Sequence, residues 1–160
     1  MAVDETYHRM TGTRDDAELL VFRFFTEVGI IDQLATTALE RMLPKGITSA
    51  QFAILNHFVR LDLDVRSPAE LADVMQVTRA TMSSTLKRME MHGLIRVEQD
   101  PEDGRAKLVR LSQKGRDVRE ACVSKAGALA SPMLKTHDQA QLIELTESLH
   151  EIRQALERLR

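Results

Sequence analysis

The chain has 160 residues, enough for one compact domain with a hydrophobic core. A hydrophobic fraction of 43% and a charged fraction of 29% exclude a disordered polymer, and 4% aromatics with no Trp tilt the balance from sheet toward helix. The net charge of −2 conceals an asymmetry: residues 66–116 carry ten Lys/Arg against seven Asp/Glu, and the remainder twelve against seventeen. A basic centre between acidic arms is the distribution expected of a nucleic-acid module with non-binding flanks.

Cys122 stands alone, so no intramolecular disulfide can form. The first twelve residues are polar and lack the apolar run of a secretory leader. Residues 19–43 are the most apolar, but Arg23, Glu27, Asp32, Glu40 and Arg41 interrupt them, which excludes a membrane span. A cytoplasmic protein is expected.

Residues 1–13 read as a loose tail. From Arg14 to Leu43, Val21, Phe24, Val28, Ile31, Ala35, Ala38 and Met42 recur in steps of three and four, and Phe22, Phe25, Leu34 and Leu39 widen the stripe. So broad an apolar helix needs more cover than one small domain supplies. Pro44 and Gly46 end it. Thr48 and Gln51 form a capping box that opens a second helix, with Phe52, Leu55 and Val59 inward, and a charged connection follows at residues 62–66. Ser67-Pro68-Ala69-Glu70 starts a third helix, whose Leu71, Val74 and Met75 face the core. After three residues a fourth helix runs from Arg79 to His92 and stops at Gly93. Two helices joined by so short a turn form a helix-turn-helix.

Period two follows. Ile95 and Val97 alternate with Arg96 and Glu98, residues 100–105 hold an Asp-Gly turn, and residues 107–111 return as a second strand. Ser112 caps a fifth helix carrying Val118, Cys122 and Val123, which weakens at Ser131-Pro132. In the last helix, capped by Asp138, Leu142, Leu145, Leu149, Ile152, Leu156 and Leu159 are spaced 3, 4, 3, 4, 3, a heptad seam built to pack against another long helix. The pattern predicts a mainly α protein with a small β-hairpin, in which a winged helix-turn-helix (residues 47–112) is joined to a helical dimerisation lobe made by residues 14–43 and 113–160.

On the fourth helix, Met82, Leu86 and Met89 inward turn Ala80, Ser83, Ser84, Lys87 and Arg88 outward or to the flank. Short polar side chains let a helix backbone approach base edges, Arg79 at the entering end suits guanine or phosphate, and Lys87 and Arg88 suit the backbone. The hairpin carries Arg105, Lys107 and Arg110, and an arginine at such a tip can enter a minor groove.

Asp103-Gly104-Arg105, five residues, then Leu111-Ser112 matches the wing signature of the MarR (multiple antibiotic resistance regulator) family, which the chain resembles in element order from Arg14 to Leu159. The His92-Gly93-Leu94-Ile95 exit and Lys114-Gly115-Arg116 also resemble family positions, while Pro101 in the wing departs from the pattern. The resemblance implies a homodimer on double-stranded DNA, with one recognition helix per protomer in a major groove and Arg105, oriented by Asp103, in the minor groove. Arg79, Thr81, Ser83, Ser84 and Lys87 carry over by position on the recognition helix, and Arg88 and, in the wing, Lys107 join the DNA-binding set from the reading of the residues alone. The resemblance implies a sequence-specific regulator, a repressor on an imperfect palindrome released by a small-molecule effector, with Phe24, Phe25, Phe52, His57 and Phe58 as lining or as core.

Two alternatives stand beside this reading: a winged-helix dimer that meets a protein partner, and a redox switch at Cys122, whose apolar neighbours argue for a structural thiol. His8, His57, His92, His137 and His150 have no metal-ligand spacing, and Asp15-Asp16 and Glu102-Asp103 read as solvated charge. No catalytic motif or cofactor fingerprint is visible, so neither an enzyme nor a cofactor is expected.

Overall fold

A computed structural model describes residues 14–104, 106–125 and 127–159. The chain divides into two compact units, Met1–Arg41 and Met42–Arg160. The first contains helix α1 (Arg14–Met42), 29 residues long, on which Leu20, Val21, Phe22, Ile31 and Leu34 are exposed. Phe24 and Phe25 meet edge to face with ring centroids 5.3 Å apart.

The second unit holds α2 (Ser49–Arg60), β1 (Val65–Arg66), α3 (Pro68–Val74), α4 (Arg79–Met91), β2 (Ile95–Gln99), β3 (Lys107–Leu111), α5 (Gln113–Lys125), α6 (Gly127–Thr136) and α7 (Gln139–Glu157). The expected start signals operate. Thr48 with Gln51, Ser67 with Glu70 and Asp138 with Gln141 each form reciprocal capping boxes, so the free N–H groups of three helix starts find acceptors.

The β-hairpin is part of a three-stranded antiparallel sheet in the order β1-β3-β2. Val65 pairs with Arg110 and Arg66 with Val109, so the supposed loop at residues 62–66 ends in a strand. Two residues are too short for a periodic signal, which is why pattern reading passes over it. Along the hairpin, Ile95 faces Leu111, Val97 faces Val109 and Gln99 faces Lys107.

The core gathers Ile54, Leu55 and Phe58 from α2, Leu71 and Ala72 from α3, Met82, Leu86 and Met89 from α4, then Leu94, Ile95 and Val109. The α2 face is rotated from the expected one: Ile54 and Phe58 join Leu55 inside, while Phe52 and Val59 are half-buried. On α3, Val74 is 48% exposed and Ala72 takes the inward place. Phe58 and His57 are buried as core. Ser131-Pro132, where the fifth helix was expected to weaken, lies inside α6. No helix among the described residues is long and apolar enough to cross a membrane.

Candidate nucleic-acid interface

Helix α4 is aimed by its two ends. At the start, the Thr78 hydroxyl accepts from Thr81 N–H at 3.1 Å, and the two threonine hydroxyls share a hydrogen bond of 2.9 Å. Gln76, at φ +53°, makes the reversal that joins α3 to α4, with Val77 N–H bonded to Ala72 C=O. At the end, Gly93 adopts φ +68°, so Leu94 N–H reaches Met89 C=O and Gly93 N–H reaches Glu90 C=O. Lys114 Nζ donates to His92 C=O at 2.8 Å, setting a cation on the negative end of the helix dipole.

With Met82, Thr85, Leu86 and Met89 buried, the opposite face of α4 is solvent-exposed. By helical phase, Ala80, Ser84, Lys87 and Met91 form its outermost line. Arg79 and Ser83 lie on the flank toward the hairpin, Thr81 and Arg88 on the other. All six recognition-helix residues expected from the sequence are therefore exposed, although the Thr81 hydroxyl is engaged in the cap. Arg79 occupies the first helical turn, where the positive dipole end disfavours a cation. Such a local conflict is characteristic of a position used for something other than stability.

Between α4 and the sheet runs a groove of about 380 Å³, lined by Pro68, Ser83, Leu86, Lys87, Glu90, Val97 and Lys107. It brings Lys87 of the helix and Lys107 of the hairpin to one cleft. The outer face of the hairpin is different: Arg110 Nε is paired with Glu98 at 3.1 Å, so the Arg110 charge is partly satisfied within the sheet. At the tip, Glu102 N–H bonds Asp100 Oδ1 at 2.9 Å, Ala106 N–H bonds Asp103 C=O at 2.8 Å, and the Gln99 amide donates to Gly104 C=O. Arg105 lies outside the described residues. Asp103 is exposed.

Two features went unread in the sequence. Glu90 accepts from Val97 N–H at 2.9 Å; its signal was an acid in the last turn of a helix, against the dipole. Gly115 sits where a Cβ would fall 2.2 Å from Leu94 C=O, so only glycine lets α5 meet the start of the hairpin. Cys122 is buried, and desolvation pushes its thiol up from the ordinary range, which dulls it as a nucleophile.

A helix exposed along its polar face, beside a hairpin that shares a basic groove with it, is a winged-helix arrangement. Residues 45–106 match the model of the MarR family. The chain is 26% identical over 150 residues to the transcriptional activatory protein BadR of Rhodopseudomonas palustris, covering 90% of this chain and 80% of that protein. Among solved structures, a cysteine-to-serine mutant of MarR from E. coli complexed with operator DNA is similar at 24% identity and a TM-score of 0.68, over 82% of this chain and 94% of that one. BpsR of Bordetella bronchiseptica, described for regulation of its DNA binding by 6-hydroxynicotinic acid, is similar at 21% identity and a TM-score of 0.67, over 82% and 98%. Both structural likenesses concern the fold.

Proposed function

We propose that this chain acts as a homodimeric, sequence-specific repressor on a pseudo-palindromic operator. The observation that carries the reading is the exposed polar face of α4 beside a groove shared by Lys87 and Lys107. In each protomer Ser83, Ser84 and Arg79 face base edges in a major groove, with Thr81 and Arg88 on the flank. Lys87 and Lys107 grip phosphates, and Arg105, steered by Asp103, enters the neighbouring minor groove. Residues 47–112 form the DNA-binding lobe, and residues 14–43 and 113–160 the dimerisation lobe. The exposed leucine seam of α7 supports the second assignment, because an apolar stripe of that regularity is stable only when covered. Two-fold symmetry sets half-site centres roughly one helical turn, about 10 base pairs, apart.

Release by a small-molecule effector is part of the proposal. It is supported by the control of BpsR by an aromatic acid, and it requires a ligand that binds the DNA-free form better than the bound one. The name of BadR sets the opposite expectation for the sign of regulation. Selection of bound fragments from a randomised DNA pool tests sequence reading: an enriched inverted repeat is expected, and pools without enrichment would refute it. A reporter behind the selected site then decides repression against activation.

A further inference from the structure

The groove between α4 and the hairpin is lined by two lysines and by one acid, Glu90, whose presence beside a phosphate-facing surface needs a reason. Electrostatics oppose it twice. A carboxylate in the last turn of a helix faces the negative end of the dipole, and a carboxylate near DNA repels the backbone. Its geometry supplies the reason. Strand β2 is an edge of the sheet, and Glu90 accepts the Val97 backbone N–H at 2.9 Å. Val97 lies at the middle of β2, so this hydrogen bond joins the recognition helix to the hairpin midway between the Gly93 turn and the hairpin tip.

We infer that Glu90 is a positioning residue for DNA recognition: its carboxylate fixes the angle between the recognition helix and the wing by holding the Val97 amide. The inference rests on the DNA-binding assignment of α4 and the hairpin, and deepens it. Without this tie the base of the hairpin is still held by β1 and by Ile95 and Val109 in the core, but β2 loses the hydrogen bond that fixes its middle to α4. A wing free to swing reaches the minor groove in fewer of its orientations, and the complex weakens by the fraction of competent conformers lost. The bond also closes an N–H on an open strand edge, which guards against edge-to-edge pairing.

The sign of the effect makes the test decisive. Removing a carboxylate from a DNA-facing groove should tighten binding if charge were all that mattered. Glu90→Ala is expected to weaken operator binding several-fold despite the lost repulsion, with minor-groove protection at the wing reduced and major-groove protection kept. Glu90→Gln retains an acceptor oxygen and drops the charge, so it is expected to bind as tightly as the parent or tighter. Tighter or unchanged binding by Glu90→Ala, or equal weakening by both variants, would overturn the inference. Amide hydrogen exchange at Val97 in the DNA-free protein tests the tie separately: faster exchange in Glu90→Ala and not in Glu90→Gln is expected, and equal exchange in all three would overturn it. Should the parent bind no DNA while Val97 behaves as expected, the tie survives and the recognition assignment fails.

Discussion

Gly115 and His57 show how a single side chain, or its absence, sets the tolerances of the winged-helix unit. A methyl group at residue 115 would lie 2.2 Å from the Leu94 carbonyl and 2.7 Å from Leu111 Cδ1, and the first of these is backbone that cannot swing aside. Gly115→Ala is therefore expected to cost about 2–3 kcal/mol, read from urea unfolding. His57 is buried, and desolvation, then the charges of Arg60 and Arg66, hold its pKa below the ordinary 6.5. The unfolded chain binds that proton more readily, so stability should be unaffected above about pH 6.5 and decline as pH falls from there toward the native pKa. Urea midpoints measured between about pH 7.5 and 5.5 should show this decline, and His57→Gln should flatten it. Neither property was readable from the sequence. Gly115 stands in a Lys-Gly-Arg stretch that only family resemblance singled out, and His57 was legible as core or lining but not as a site whose proton affinity burial lowers.

Elements announced themselves in proportion to their length and to the chemistry of their ends. The capping boxes at Thr48 and Ser67, the Asp138 cap, the Gly93 stop and the Asp-Gly hairpin were legible because each rests on a local hydrogen-bonding rule, while the Gln141 half of the third box was not read. Strand β1 was not, since its two residues owe their extended form to Val109 and Arg110 across the sheet. The rotation of the α2 face has the same origin: tertiary packing selects Ile54 and Phe58 over Phe52 and Val59. For the site, the exposed face of α4 followed from periodicity, whereas the Glu90–Val97 bond depends on a fold-back no local pattern encodes. The wing is where the DNA-binding proposal is most exposed to test. Arg105→Ala should weaken operator binding by about 1–3 kcal/mol at fixed salt, measured by titration, and equal affinity would remove this arginine from recognition.

At the scale of the whole molecule, the final helix is the largest unmet demand. None of its 19 residues is buried, and Leu145, Leu149 and Leu156 are 50%, 48% and 44% exposed. Covered by a second copy, such a seam becomes the interior of a helical bundle. A charged side chain placed there is expected to separate the protomers: Leu145→Glu combined with Leu149→Glu should sediment as a monomer at micromolar concentration where the parent sediments as a dimer. A monomeric parent would refute the dimeric reading instead.

The bare α7 seam makes protein abundance a variable in its own right. If its helical order is borrowed from a partner, the thermal midpoint should climb as the sample is concentrated, and dilution should loosen the ends of the chain before the core around Phe58. Operator occupancy would then rise more steeply than first order in protein, so a modest drop in copy number could empty the site with no inducer present.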